Sequence, residues 1–412
     1  MMEKLYQFEG LCLWDRGGGV PVGAAPCSAP FAPLVITVRR DPAKSRGLYR
    51  IDDLRRLDAQ DVQAALQPLP PQQAEDGLAA LVQAEGACVL NTVFARCWDV
   101  LRATRRRRDG FRVHLVGLGD VGGTVLQGLV LLGRDLTGIG IYDPNEAQCR
   151  RYCLEMNQVL PEHAGGWVPP VEAVPLARLF DCDALLFTAS LGVPPVGAQV
   201  GDVRMIQYKR NRDMLQGYAR MAREAGFTGL FAQISDPVDY LCQSVFLASN
   251  RDEDGRFDAA GLLPEQIQGY GLGVMRARAQ YYAAQRGVDF SQGQVFGPHG
   301  QQLVVANAAG QGYDDARSRQ LTQDTVTANL QVRALGYKPY IAPGLSSAAI
   351  SVLRTLRGED HDGTLALGGA YFGCSLRSTW LGVEPVYQAL HPALQARLAP
   401  VLQALREFDY DE

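Results

Sequence analysis

The sequence predicts an α/β protein whose central part is a doubly wound parallel sheet, and three observations support this prediction. Short apolar runs alternate with segments of helical periodicity over residues 111–234, which is typical of successive β-α-β units. A glycine-rich turn follows the first of these runs directly. The length of 412 residues leaves room for roughly two to three domains of about 150 residues each.

The first block, residues 1–110, is predicted to be a small N-terminal α/β extension. Leu34–Val38 is a β-branched run typical of a strand. Charged residues alternate with Leu and Val at helical spacing over 51–66, and a second helix is expected over 91–104. No residue pattern in this block points to chemistry, so its role stays open.

The second block, residues 111–268, is predicted to form the parallel sheet, and the third, residues 269–412, an α+β substrate domain. In the second block we expect strands at 113–116, 138–142, 184–188 and 229–234, and helices at 124–132, 146–159 and 205–225. In the third block we expect helices at 273–287, 313–335, 346–356 and 392–408, a strand at 303–305 and a strand pair within 364–381.

The composition disfavours several classes of protein. Lys and Arg number 40 against 44 Asp and Glu, so the net charge is −4 and no nucleic-acid partner is predicted. No apolar stretch approaches the ~18 residues of a membrane span, and no apolar core of a secretion signal follows Glu3. The nine Cys residues include no CxxC pair, so neither a disulfide scaffold nor a metal site is predicted. A cytoplasmic protein without membrane association is expected.

Three glycines form a GxGxxG turn between the strand at 113–116 and the helix at 124–132. Gly117 permits a tight turn, Gly119 lets the backbone approach a pyrophosphate, and Gly122 allows the helix to pack closely on the strand. The free N–H groups at the start of the helix would then bind the phosphates. Together these features predict a Rossmann domain that binds a dinucleotide.

The acid that ends the next strand indicates which dinucleotide is bound. Asp143 lies 21 residues after Gly122, near the expected spacing of about 20 residues. Its carboxylate can accept hydrogen bonds from both ribose hydroxyls and would repel a 2′-phosphate, so NAD is the predicted cofactor. Asp120 and Val121 are also expected beside the cofactor, with the Asp120 carboxylate turned outward to cap the helix.

Five later segments resemble the NAD-dependent lactate/malate dehydrogenase family. In chain order they read TAS at 188–190, RMIQYKRN at 204–211, SDPVD at 235–239, GVMRAR at 273–278 and GPHG at 297–300. The segments at 345–350 and 368–373 also resemble the end of that family's chain. The resemblance covers about residues 111–408 and leaves the first block outside.

The resemblance implies hydride transfer between NAD and a small 2-hydroxy or 2-oxo acid. This chemistry needs an acid/base at the carbonyl oxygen, a cation that polarises the carbonyl and a second cation that holds the carboxylate. By resemblance these roles fall to His299, Arg204 and Arg278, with Arg276 close enough to be the carboxylate anchor instead.

Among the five histidines, His299 is the best candidate for catalysis because it lies between glycines after an apolar strand. His114 is expected to pack inside a strand, whereas His163, His361 and His391 have surroundings typical of loops.

The resemblance implies further contacts and an assembly. Ser346 matches a hydroxyl that lines the substrate pocket, and Asn211 matches a polar position in the helix after the mobile loop, where we expect a substrate contact. Thr188 and Ala189 are expected beside the cofactor. The implied partner is a small-molecule carboxylate, and the implied assembly is a homo-oligomer, either a dimer or a tetramer.

Two substitutions depart from the family pattern. The family orients its catalytic histidine with an aspartate three residues before the carboxylate arginine, and that position is Met275 when counted from Arg278. The family's Asn-Pro pair is Asp236-Pro237 here. An ionised Asp236 only accepts hydrogen bonds, so it either replaces the missing partner of His299 or meets a donor on the substrate such as an amine.

The loop at 191–203 is longer than the family pattern and contains no Lys or Arg, which argues mildly against a dicarboxylate substrate.

Three alternatives therefore stay open. In the first, the same fold acts on an amino or imino compound, and in the second it is a catalytically decayed NAD-binding sensor or scaffold. An NAD-dependent glycosidase would need a divalent metal, for which no Cys/His pair is evident.

Overall fold

A mixed sheet of 15 strands runs through the protein in the computed structural model. The structure describes residues 4–58, 62–106, 109–191 and 203–411, but not the side chains of residues 62–63 and 203–206. The strands of this sheet are β1 (Leu5–Phe8), β2 (Leu11–Asp15), β3 (Ala25–Pro26), β4 (Leu34–Val38), β5 (Leu48–Ile51), β6 (Ala87–Asn91), β7 (Phe111–Val116), β8 (Leu136–Tyr142), β9 (Val171–Ala173), β10 (Ala184–Phe187), β11 (Leu230–Gln233), β12 (Ile267–Gly269), β15 (His361–Leu367), β16 (Ala370–Thr379) and β17 (Gly382–Pro385). A separate hairpin consists of β13 (Gln294–Phe296) and β14 (Val304–Ala306).

Helices cover the sheet. They are α1 (Val62–Leu66), α2 (Gly77–Glu85), α3 (Cys97–Arg105), α4 (Asp120–Leu132), α5 (Glu146–Met156), α6 (Val203–Glu224), α7 (Val238–Ser249), α8 (Leu272–Gln285), α9 (Asp315–Ala334), α10 (Ser351–Arg357) and α11 (Pro392–Glu407). A π-helical segment, Pro343–Ile350, leads into α10. Single 3-10 turns occur at Leu54–Arg56, Leu176–Arg178 and Pro264–Gln266.

The parallel half of the sheet has the order β9-β8-β7-β10-β11-β12. This is the doubly wound order, in which the chain reverses direction of progress between β7 and β10. The predicted fold class is confirmed. Ligands of such sheets bind beyond the carboxyl ends of the strands at that reversal point, which is where the glycine turn after β7 lies.

The strands of the first block continue the same sheet. β12 pairs antiparallel with β15, and β17 then pairs in parallel with β5 through Val383 and Tyr49. Beside this junction the buried carboxyl group of Glu265 accepts hydrogen bonds from the amides of Gly47 (2.9 Å) and Leu48 (2.9 Å). The first block is thereby held to the sheet domain by polar contacts as well as by strand pairing, while the division at residues 110 and 268 stays a prediction.

Two predicted elements need correction, and one helix was not predicted. The helix expected over 51–66 is the end of β5, a single 3-10 turn and the short α1, because the Asp53 carboxylate caps that turn through the amide of Arg55. The helix expected over 91–104 begins only at Cys97, since Asn91 still belongs to β6. Periodicity gave no sign of α7, because ten of its 12 residues are buried and it therefore has no polar face.

His361 is not the loop residue that the sequence predicted. It starts β15 and is buried, and its ring stacks on that of Tyr270 with 6.0 Å between centroids. Its Nε2 lies 3.0 Å from the Thr355 hydroxyl. His114, by contrast, packs inside β7 as predicted, with Nδ1 2.8 Å from the carbonyl oxygen of Leu179.

The burial of His361 makes stability depend on pH. Burial lowers the pKa of this imidazole to about 4, whereas an unfolded histidine titrates near pH ~6.5. The neutral ring therefore makes its full contribution to the free energy of unfolding above pH ~6.5. As the pH falls to ~4, the free energy of unfolding decreases by about 3 kcal/mol. Urea unfolding at pH ~7 and ~4.5 should show a smaller loss for His361→Gln than for the wild type. The exposed His163→Gln is the control, and equal losses in all three proteins would contradict this assignment.

Candidate active site

The glycine turn after β7 is packed so tightly that two of its glycines have no room for a side chain. Gly117 has φ +89°, and a Cβ there would lie 2.7 Å from the Cα of Ala189. A Cβ on Gly122 would overlap the carbonyl oxygen of Gly117. Thr188 closes the turn from the other strand, because its hydroxyl donates to that same carbonyl at 2.7 Å. Thr188 and Ala189 therefore shape the turn directly.

Gly119 lies in a different environment, since a Cβ there would meet nothing within 4 Å. It is the N-cap residue of α4, and no side chain caps the helix. The space beside Gly119 is therefore open, and the first backbone amides of α4, including that of Val121, lie next to it. This arrangement suits the pyrophosphate of a dinucleotide.

The capping role predicted for Asp120 is wrong, because Gly119 already occupies the cap position and Asp120 is the first residue of the helix. Its exposed carboxylate instead pairs with Lys338 at 2.9 Å. A negative charge in the first turn still favours the helix dipole.

Asp143 follows β8 and lies against the glycine turn. One carboxylate oxygen accepts from the amide of Leu118 at 2.8 Å, and the other accepts from the amide of Asn145 at 2.9 Å. These contacts fix the orientation of the carboxylate. Each oxygen has a second lone pair, so both can still accept from ribose hydroxyls.

His299 lies in the loop between β13 and β14, next to the carboxyl end of β11. Its Nδ1 is 2.9 Å from Oδ1 of Asp236, and 16% of its side chain is exposed. Gly271 packs against the ring, since a Cβ there would lie 2.8 Å from Cγ of His299. Within the described parts of the chain, no group bonds Nε2. The imidazole is thus held by one nitrogen and has the other available.

Asp239 holds the backbone beneath this imidazole, and the sequence reasoning missed it. It is buried in the first turn of α7, and its carboxyl group accepts from the amide of His299 (2.8 Å) and from the hydroxyl of Thr364 (2.6 Å). Burial raises its pKa. The SDPVD segment did contain a signal, because Asp236 and Asp239 are three residues apart where a helix begins.

The two arginines of α8 have different surroundings. Arg276 donates to Gln294 at 2.7 Å and lies 3.4 Å from the carboxylate of Asp362. Arg278 donates to the side-chain oxygen of Asn329 at 2.5 Å and contacts the sulfur of Met275 at 3.7 Å. No carboxylate of the described residues lies within 4 Å of Arg278. Burial lowers the pKa of this guanidinium.

Asn211 is buried and uses its whole amide within the protein, which corrects the expected substrate contact. Its nitrogen donates to the carbonyl oxygen of Asp236 (2.7 Å) and to the hydroxyl of Ser190 (3.2 Å), while its oxygen accepts from the amide of Leu191 (3.0 Å). Asn211 therefore fixes the backbone that carries Asp236.

Ser346 lies away from the cavity, and the position of the Arg204 side chain is not described. Ser346 is in the π-helical segment, where its carbonyl oxygen accepts from the Ser351 hydroxyl at 2.9 Å, and it does not line the cavity beside His299. Arg204 belongs to the first turn of α6, but its side chain lies outside the described residues, as does the 192–202 part of the long loop. Its role as carbonyl polariser stays a prediction.

A cavity of about 560 Å³ opens beside His299 and Asp236. Met275 and Asn329, the two contacts of Arg278, line it as well. The cavity thus brings together the candidate acid/base, its carboxylate partner and the immediate surroundings of the candidate anion-binding arginine.

Comparisons with known proteins support the resemblance seen in the motifs. A malate dehydrogenase from Sulfurimonas denitrificans is 27% identical over 177 residues, 41% of this chain and 53% of that protein. An L-lactate dehydrogenase from Treponema denticola is 29% identical over 200 residues, 47% of this chain and 56% of that protein. The chain thus spans about half the length of these curated relatives. No family model matches it.

Solved structures agree over a longer part of the chain. The minor L-lactate dehydrogenase from Enterococcus mundtii superposes with a TM-score of 0.59 at 17% identity, covering 73% of this chain and 97% of that one. The chain has the fold of the lactate and malate dehydrogenases. The resemblance inferred from the motifs is confirmed, and this lactate/malate dehydrogenase-like chain carries its first block in addition.

Among the described residues, no helix is both long and apolar enough to cross a membrane. No group of three or more His, Cys, Asp or Glu side chains among them is placed to hold a metal ion.

The contacts of Asp239 generate a test of the site's architecture. We expect Asp239→Ala to lower the free energy of unfolding by about 2–4 kcal/mol, because two buried donors lose their acceptor. Asp239→Asn keeps one acceptor oxygen and should lose less. Urea unfolding at neutral pH measures both, with Asp254→Ala as an exposed control. If Asp239→Ala is as stable as this control, the carboxyl group does not hold the His299 loop.

Proposed function

We propose that this chain is an NAD-dependent oxidoreductase that interconverts a 2-oxo acid and the corresponding 2-hydroxy acid, with His299 as the acid/base. The observation that carries this proposal is the 2.9 Å contact between Nδ1 of His299 and Asp236 at the edge of the cavity. The names of the matched relatives, malate dehydrogenase and L-lactate dehydrogenase, support the reaction class.

His299 would move the proton at the substrate oxygen. An Nδ1–H donated to Asp236 fixes the tautomer, so Nε2 is the nitrogen that gives its proton to the carbonyl oxygen during reduction and takes it back during oxidation. In this chain Asp236 therefore supplies the partner that Met275 cannot be.

Arg278 would bind the substrate carboxylate. Among the described residues the partly buried guanidinium has no carboxylate in direct contact and only the longer-range attraction of Asp236, so an anionic ligand would stabilise it. Its planar fork suits a carboxylate in a bidentate contact. Arg276 already has an acidic neighbour, Asp362, so we assign the anchor to Arg278. Arg204 keeps its predicted role at the carbonyl.

The residues around the glycine turn fit a dinucleotide. The open step at Gly119 and the first amides of α4 would hold the pyrophosphate, and Asp143 would hold the adenosine ribose. When bound, NADH would supply the hydride for C2 of the 2-oxo acid, with NAD⁺ as the oxidised product. Assembly into a dimer or tetramer stays part of the proposal.

The contacts of His299 favour this proposal over two of the alternatives. Because one oxygen of Asp236 already lies at hydrogen-bond distance from His299, a substrate amine is not needed to explain this acid. A decayed sensor would not need the imidazole to be held from two sides, by Asp236 and, through its backbone, by Asp239.

The proposal predicts a selective defect in Asp236→Asn. We expect wild-type protein to oxidise NADH in the presence of a 2-oxo acid, and the variant to have a kcat lower by about 100-fold or more. The affinity for NADH should stay within about twofold, because Asp236 lies outside the glycine turn. Steady-state absorbance kinetics and NADH fluorescence titration measure the two effects.

Asp289→Asn, an exposed loop residue, is the matched control and should behave as the wild type. If Asp236→Asn keeps full turnover, Asp236 is not the partner of the catalytic histidine. If the wild type binds NADH but reduces no 2-oxo acid, the sensor alternative replaces this proposal.

A further inference from the structure

The cavity beside His299 has a wall made of aromatic rings. Tyr208, Tyr240 and Phe408, here called the aromatic wall, all line it. The Phe408 ring lies 4.5 Å from that of Tyr240 and 5.1 Å from that of Tyr208, centroid to centroid, with edge-on geometry in both pairs. Such contacts are favourable beyond simple burial, so the three rings form one packed surface.

The hydroxyl groups of the wall are engaged elsewhere. The Tyr240 hydroxyl donates to the side-chain oxygen of Gln302 at 2.9 Å. The Tyr208 hydroxyl lies 2.9 Å from that of Ser244 and 3.1 Å from the carbonyl oxygen of Tyr410. These polar groups are satisfied within the protein, and Tyr208 is fully buried. The wall therefore offers a ligand mainly the apolar ring surfaces of Tyr240 and Phe408, which are partly buried.

The wall is fixed in place from both sides. Tyr240 lies in the first turn of α7, on the segment that also carries Asp236 and Asp239. Phe408 directly follows α11, and three residues later Asp411 forms a two-bond ion pair with Arg251 at 2.6 and 2.9 Å. A wall with little freedom loses little entropy when a ligand packs on it.

Among the described residues that line the cavity, the charged groups are the Asp236 carboxylate and, when it is protonated, the His299 imidazole. Among the described residues that line it, none is Lys or Arg, and residues 192–202 of the long loop contain no Lys or Arg in sequence. With Arg278 assigned to the 2-carboxylate and Arg204 to the carbonyl, no Lys or Arg among the described lining residues is left for a second substrate carboxylate. The volume of about 560 Å³ lies in the range of pockets that take drug-sized ligands, about 300–1,000 Å³.

We propose that the substrate is a 2-oxo or 2-hydroxy acid whose third carbon carries an aromatic or similarly bulky apolar group, and that this group packs on the aromatic wall. This inference rests on the proposed function and adds its substrate class. Arg278 holds the carboxylate, His299 serves the C2 oxygen, and Tyr240 and Phe408 receive the side chain.

The test compares 3-phenylpyruvate with pyruvate and oxaloacetate as substrates for the full chain with NADH. Burial of a phenyl group on the wall should give 3-phenylpyruvate a kcat/KM about 10- to 100-fold above that of either small acid. In Phe408→Ala the ratio of kcat/KM for 3-phenylpyruvate to that for pyruvate should fall by about tenfold or more.

The matched control is Phe180→Ala, which removes a partly buried ring that pairs edge-on with Phe227 at 5.3 Å and lies outside the cavity. It should leave the substrate ratio unchanged. If Phe408→Ala does not fold, as judged by thermal melting and NADH binding, Tyr240→Leu removes the neighbouring ring and should lower the ratio in the same direction.

The possible results distinguish a wrong substrate class from a wrong proposed function. Turnover of pyruvate or oxaloacetate that exceeds that of 3-phenylpyruvate overturns the substrate class and leaves the oxidoreductase intact. A substrate ratio that is unchanged in both wall variants shows that the wall is only part of the hydrophobic core. Bound NADH with no turnover of any of the three acids overturns the proposed function, and the substrate class with it.

Discussion

The geometry of the site depends on one buried carboxyl group, that of Asp239. A buried carboxyl group must find hydrogen-bond donors, and Asp239 finds them in the amide of His299 and the hydroxyl of Thr364. It thereby ties the first turn of α7 to the β13–β14 loop and to β15. The position of the imidazole follows from this tie, and Asp236, three residues earlier on the same segment, is then brought to its Nδ1.

The two arginines of α8 differ in their acidic neighbours. Arg276 has Asp362 beside it, whereas the direct contacts of Arg278 among the described residues are an amide oxygen and a thioether, with Asp236 acting at longer range. A partly buried guanidinium with no carboxylate in direct contact is stabilised when an anion binds. Under the proposed function, Arg278 would therefore bind the carboxylate of the substrate, and the uncharged aromatic wall would contact the rest of it.

The parts that sequence predicted well are those that depend on short-range patterns. The GxGxxG turn, its flanking strand and helix, and the alternation that gives the doubly wound sheet all follow from spacing within about 30 residues. The contact of Asp236 with His299 was one of two hypotheses for Asp236. It arose because Met275 stands where the family has the aspartate that orients the catalytic histidine. Asp239 and Thr364 are 125 residues apart, and a contact over that separation produces no periodic pattern in the sequence. The buried α7 and His361, and the pairing of β17 with β5, were missed because tertiary burial and not local pattern decides them.

The most direct test of this account follows the label from deuterated NADH. With NADH carrying deuterium at the transferable C4 position and 3-phenylpyruvate or pyruvate as acceptor, the product is examined by nuclear magnetic resonance. We predict one deuterium at C2 of the 2-hydroxy acid for each NADH consumed, and a loss of this transfer in His299→Gln while NADH still binds. NADH that binds tightly without any deuterated 2-hydroxy acid, or a His299→Gln variant that transfers label as fast as the wild type, would contradict it.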